Sequence, residues 1–285
     1  MGIAAAPPAP DERADRPLDA PGYHASPEER AYAEAAPGPA RAPERRAYAQ
    51  PYESLTFTVL TRAQRELTVT LAAQAVFDLS RSAPVARRVR RLVRHQGGER
   101  ALLGLGRRTL ELADLHRIDA LTLGHSLEML RLAPSESGVL PAYWRTVASS
   151  RGRFALLCAE QQPTPSGGAL MVEVSGGVEQ APPEAIAEAI AHFETAAHSV
   201  ILRIAPDPAA ARRLVGVGAR CLSIDFAGVE HDDARNWRAA ADLVAAARQT
   251  CDHVLLLNLR PDRGLAAHAA GATHAVFSGM EPLSI

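Results

Sequence analysis

The feature that most constrains this chain is the rhythm of its second half. Five short segments are apolar nearly throughout: ALMVEVSG (169–176), SVILRIAP (199–206), RCLSIDFAG (220–228), HVLLLNLRP (253–261) and THAVFSG (273–279). Helical stretches separate them, namely PEAIAEAIAHFETAA, DPAAARRLVGVGA, ARNWRAAADLVAAARQTC and DRGLAAHAAGA. A strand with one wet face alternates apolar and polar residues, whereas a strand covered on both faces does not. These runs therefore predict parallel strands with helices packed against them. LTFTVL (55–60), LTVTLAAQAVFDL (67–79, with a weak point at Ala72 and Ala73) and RFALLCAE add strands from the first half. RRVRRLVRH reads as helical at least in part, ERALLGLG as strand or helix, and PAYWRTVASS as a short helix. ELADLHRIDALTLGHSLEMLR (111–131) is the clearest amphipathic helix. The strand count approaches that of a (β/α) TIM-type barrel, modified or incomplete, which is the first expectation; an open doubly wound sheet is the second.

Residues 1–50 hold nine prolines and fifteen alanines, too little burial to repay ordering, and are expected to be a disordered tail before a body spanning 51–285. Basic and acidic residues nearly balance, 31 against 32, and no aromatic residues interleave with the basic ones, so no nucleic-acid partner is expected. Every basic residue is arginine, which removes any chemistry that needs a lysine amine. Cys158, Cys221 and Cys251 form no C-x-x-C pair, which argues against a disulfide framework or a zinc knuckle. No apolar run reaches the roughly 18 residues of a membrane span. The opening segment has no basic stretch followed by an apolar one, so a cytoplasmic protein without a secretory signal is expected.

Parallel α/β folds gather their chemistry at the C-terminal ends of strands. Read in order, those ends offer Asp78, Glu160, Glu173, Arg203, Asp225, Asn258 with Arg260, and Ser278. Glu173 and Asp225 stand out as acids inside apolar strands, but Mg²⁺ wants more oxygens than two carboxylates supply. The plainer reading has Glu173 facing a helix or a buried arginine and Asp225 capping a turn. The histidines do not cluster: His116 and His125 lie nine residues apart on one helix, and His231 sits in EHDD, read as a surface acidic loop. GLGRR is only a fragment of a phosphate loop, and there is no H-E-x-x-H or G-x-S-x-G. No catalytic residue, metal ligand set or cofactor can be nominated. The strongest charge feature is an arginine run. On a helix, Arg87, Arg91 and Arg94 would form one stripe that Arg88 and Arg90 widen, either an anion or partner patch or a solvated face.

The serial order of segments resembles an EAL domain, the bacterial cyclic-di-GMP phosphodiesterase barrel, in degenerate form over roughly residues 55–285. QAVFDL (74–79), which includes Gln74, resembles the family's opening Gln-Pro-Ile-Val-Asp-Leu-like strand. PVARRVRRLVRHQGG (84–98) then takes the place of the Glu-Ala-Leu-Leu-Arg signature. That places Arg88 where the family has its signature glutamate and Leu92 where it has a phosphate-holding arginine. LMVEVSG resembles the Leu-Glu-Ile-Thr-Glu strand and keeps one acid, Glu173. RIAP falls on the paired aspartates, giving Arg203 and Ile204. SIDF falls on Lys-Ile-Asp, giving Ser223 for the lysine and keeping Asp225. LLLNLRP falls near the late Ala-Glu-Gly-Val-Glu strand and carries no acid. FSGMEP resembles the closing region and keeps Gly279 and Pro282. Residues 135–168 match poorly.

The resemblance implies a barrel fold and, in the family, metal-assisted attack on a phosphodiester. With at most two acids retained and arginines at two lost positions, hydrolysis is expected to be absent, because a guanidinium cannot ligate a cation and near a carboxylate replaces it with an ion pair. The expected function is a non-catalytic pseudoenzyme in bacterial signalling that works through protein–protein interaction. Its partner would be another bacterial regulatory protein, with homodimerisation also open. The alternatives are a cyclic-di-GMP sensor without activity, and a phosphate-ligand barrel enzyme of another family, which AGATHAVFSG (270–279) superficially resembles.

Overall fold

The computed structural model describes residues 54–95, 110–130, 137–160, 169–194, 199–229, 231 and 234–279. The Pro/Ala tail, ERALLGLG, the acids flanking His231 and Pro282 lie outside them. Nine strands form one sheet in chain order: β1 (Ser54–Leu60), β2 (Glu66–Asp78), β3 (Ala83–His95), β4 (Ser137–Tyr143), β5 (Leu170–Ser175), β6 (Ser199–Ile204), β7 (Cys221–Asp225), β8 (His253–Leu259) and β9 (His274–Phe277). Strands β3 to β9 are mutually parallel, and β2 runs antiparallel to both β3 and β9. The β2–β9 pairing closes an eight-stranded barrel, and β1 adds to the free flank of β2 outside it. The barrel is therefore complete, although one of its strands is reversed.

Helices α1 (Leu112–Leu130), α2 (Trp144–Val147), α3 (Ser150–Glu160), α4 (Pro183–Glu194), α5 (Pro208–Arg212), α6 (Ala234–Thr250) and α7 (Gly264–Ala269) cover the outside. Their buried faces and the outward strand residues form one apolar layer that includes Leu115, Ile118, Val69, Val89, Leu202, Leu222 and Leu256. A smaller cluster fills the barrel itself: Val76, Ala86, Val139, Ile201, Leu255, Leu257 and Val276, with Met171 and Cys221 against it. A core on both sides of the parallel barrel strands is what the unbroken apolar runs required, whereas β1, outside the barrel, keeps an exposed face.

Several assignments from the sequence change. RRVRRLVRH is strand, not helix: β3 pairs with β2 over twelve rungs, and its period of two places Val89 and Val93 in the outer layer. Arginine is a good helix former, but a long ladder and a buried valine row outweigh that preference. RFALLCAE is helical and lies in α3, while the strand of that region is β4, which takes Pro141–Tyr143 from the expected PAYWRTVASS helix. The expected DPAAARRLVGVGA helix is a short one, α5, capped by Asp207, whose carboxylate accepts from Ala209 N at 2.9 Å. Ala72 and Ala73 do not interrupt β2, whose ladder shifts instead between Val76 and Phe77.

Candidate functional site

Strand period decides where each arginine of β3 points. Arg88 shares the inward side with Ala86 of the barrel cluster, while Arg91 lies on the outward side with Val89 and Val93. The stripe expected of a helix is thereby split across two faces of a wall. Arg88 and Arg91 are both buried, and Arg87, Arg90, Leu92 and Arg94 are half-buried.

Inside the barrel, Arg88 meets Glu173 of β5. Its Nε and Nη2 each lie 2.7 Å from Glu173 Oε2, and Nη1 donates to Gln74 Oε1 at 2.8 Å. Glu173 is only 2% exposed, and its Oε1 accepts from Ser223 Oγ at 2.6 Å. Burial alone would raise the pKa of this carboxyl, but Arg88, and next Arg203, hold it below the ordinary value. Beside this pair, Arg203 of β6 is ion-paired with Asp225 of β7, and both are buried. Asp225 Oδ1 also accepts from Asn258 Nδ2 at 2.6 Å and from Ala227 N at 2.8 Å. Asn258 has φ 55° where the β8–β9 register shifts between Leu256 and Leu259. Asparagine tolerates this left-handed conformation, and such a bulge re-aims a side chain, here onto Asp225.

The structure thus gathers Gln74, Arg88, Glu173, Arg203, Ser223 and Asp225 around two adjoining ion pairs. Other nominated residues lie apart. Ile204 points into the outer core, and Gly279 follows β9 with φ 70°. Asp78 ends the antiparallel strand and so lies at the opposite end of the barrel, its Oδ1 accepting from Ser80 N, Ser80 Oγ and Arg81 N. Glu160 ends helix α3 rather than a strand. Ser278 is tied by its N to Leu259 O at 2.8 Å. His231 is buried rather than on an acidic surface loop, with Nδ1 2.6 Å from Val229 O and its ring edge-on to Phe226.

These groups do not fit a divalent-cation centre. No group of three or more His, Cys, Asp or Glu side chains that could hold a metal ion occurs among the described residues. Both inward acids already accept from guanidinium donors, which offer a cation no lone pair.

A third buried ion pair escaped the sequence reading. On the outside of the wall, Arg91 pairs with Asp119 of α1 and donates to Thr122 Oγ1 at 3.3 Å. Asp119 Oδ2 accepts from Tyr143 N at 3.1 Å, and the Arg91 guanidinium lies 3.8 Å from the Tyr143 ring centroid. The signal was present: Asp119, Thr122 and Ser126 sit on the buried face of α1, where an amphipathic helix should be apolar. Tyr143→Leu removes the cation–π contact and should lower stability by about 1 kcal/mol in urea titrations against the parent chain.

Two histidines give a pH dependence. Burial lowers the pKa of His274, with His253 adding to the effect and Asp78 opposing it. Burial also lowers that of His116, opposed by Asp119 and reinforced by Arg151 and Arg145. A lowered imidazole pKa means that the unfolded chain binds more protons below about 6.5. Stability should therefore fall as pH drops from 7 through 6 and level off once the folded-state values are passed. Denaturation midpoints across that range test this, and His274→Asn should shallow the slope.

No protein-family model matches the sequence, and no curated protein does. Solved structures do match. An EAL domain protein from Listeria monocytogenes aligns at 8% identity over 73% of this chain and 85% of that one, with a TM-score of 0.52. The cAMP-bound EAL enzyme Bd1971 aligns at 12% over 73%, with a TM-score of 0.54, and this chain spans 61% of it. The PaMucR phosphodiesterase, in complex with cyclic di-GMP, aligns at 13% over 73% of this chain and 92% of that one, with a TM-score of 0.53. At such identities the likeness establishes the fold: an EAL-like (β/α) barrel. No helix among the described residues is long and apolar enough to cross a membrane.

Proposed function

We propose that this chain is a non-hydrolysing EAL-like barrel that works by binding, and that its first candidate ligand is a cyclic dinucleotide held without a divalent cation. One observation carries the loss of hydrolysis: Arg88 and Arg203 occupy the inward positions beside the remaining acids, Glu173 and Asp225, and neutralise them. Metal-assisted phosphodiester hydrolysis needs a cation against the phosphate, and a site whose acids are consumed by guanidinium groups cannot collect one. The ligand class is supported by the fold, which is shared with a phosphodiesterase solved with cyclic di-GMP, and by a pair of inward arginines, the residue suited to phosphate. The working unit in this reading is residues 51–285, with 1–50 as a tail.

A second reading is a regulator that binds another bacterial protein and no nucleotide. It is favoured by the near-complete pairing of the inward charges, since Arg88 already spends Nε, Nη1 and Nη2 on Glu173 and Gln74. Calorimetry of the full chain against cyclic di-GMP, with and without Mg²⁺, separates the two. Micromolar binding that persists in a chelator supports the sensor. An absence of heat from folded protein rules the sensor out and leaves the protein-binding regulator. Metal-dependent turnover of cyclic di-GMP would overturn both.

A further inference from the structure

At the end of the barrel opposite Glu173 and Asp225, the first residues of β8 and β9 are both histidines. His253 and His274 have ring centroids 5.7 Å apart and planes at 67°. Two imidazoles ligating one tetrahedral ion at about 2.0–2.1 Å place their centroids about 5–6 Å apart. The tautomer of His274 follows from its neighbour. Thr273 Oγ1 donates its single proton to Val254 O at 3.1 Å and accepts from Val254 N at 3.0 Å, so its contact with His274 Nδ1 at 2.9 Å requires the ring to donate. That leaves the lone pair on Nε2, and an imidazole whose other nitrogen donates to a fixed oxygen is the usual arrangement around a bound metal. Burial favours the neutral, ligating form of this ring. Asp78 lies across from His274 in the β2–β9 ladder and adds negative charge.

We propose that His253 and His274 form a two-imidazole site for a transition-metal cation such as Zn²⁺ or Cu²⁺, with water completing the coordination. The adjacent Cys221 is no part of it, because burial pushes its thiol up and keeps it protonated. The site prefers imidazole-seeking ions to Mg²⁺. It also has a structural consequence. The barrel closes through only two β2–β9 rungs, Phe77 with Ala275 and Asp78 with His274, so an ion joining β8 to β9 here braces the strand that makes the seam.

The test is Zn²⁺ titration of the full, untagged chain by calorimetry, at pH 7.5 and again at pH 5.5. One equivalent should bind at pH 7.5 and be lost at pH 5.5, and His253→Asn and His274→Asn should each weaken it about tenfold or more. Unchanged affinity in the folded double variant would overturn the proposal. If the variants fail to fold, Cu²⁺ electron paramagnetic resonance on the unaltered chain decides it: coupling to two imidazole nitrogens supports the site, and coupling to one sinks it.

Discussion

Glu173→Ala is expected to lower the unfolding free energy by about 3–5 kcal/mol, the cost of stranding one member of a buried ion pair. Among the described residues, Arg88 would then keep its full charge at 3% exposure with Gln74 as its remaining partner, and Ser223 would lose its acceptor. The magnitude reflects the stranded charge rather than the worth of the pair. Replacing both members, Arg88→Met with Glu173→Leu, should recover most of the loss, because apolar groups of similar volume need no desolvation. Urea denaturation of the two single variants and the double variant closes the cycle. A Glu173→Ala cost below about 1 kcal/mol, the range of solvated pairs, would show that water reaches Arg88 and that the pair is not sealed. Glu173 should also support stability through its lowered pKa. That contribution is present above the ordinary glutamate pKa and fades as pH falls below it, a lower window than that of the histidines.

The fold was legible where the sequence carries a long-range rule. Apolar runs at 169–279 could only be strands covered on both sides, and all five are. It was illegible where local preference and tertiary pairing disagree. ARRVRRLVRH has helix-forming arginines and a charge pattern that flatters a helix, and only its partner ladder on β2 makes it a strand. That one misassignment also misplaced the site. Read as a helix, the arginines form a solvent stripe, but as β3 they send Arg88 to Glu173 and Arg91 to Asp119. Strand direction mattered in the same way. Asp78 looked like a mouth residue until β2 proved antiparallel, which moves it beside His274. The pairing of His253 with His274 has no sequence signal at all, since 21 positions separate residues that the parallel β8–β9 ladder brings together.

The strongest test of what Arg88 replaces is Arg88→Glu. In a chelator this variant should lose about 4 kcal/mol, because it sets a second carboxylate against buried Glu173 where a guanidinium used to be. Such an arrangement has two escapes. One carboxyl can take up a proton, which would make the variant recover as pH falls, opposite to the parent chain. Alternatively, a hard divalent cation can enter between oxygens already at hand, from Glu173, Gln74, Ser223 and the introduced carboxylate. Millimolar Mg²⁺ or Mn²⁺ should then return about 2–3 kcal/mol, if present near a hundred times its dissociation constant. The parent chain should show no such response, because its Arg88 already supplies the positive charge. Arg88→Gln separates charge from shape: it removes the guanidinium without adding an acid, so it should be destabilised and stay indifferent to Mg²⁺. Equal Mg²⁺ responses in Arg88→Glu and Arg88→Gln would mean that the cation acts elsewhere, and Arg88 would lose its standing as the cation's replacement. Turnover should not return in either variant. Asp225 would still be bound to Arg203, and Ser223 cannot perform the proton chemistry that a lysine performs in the resembling family.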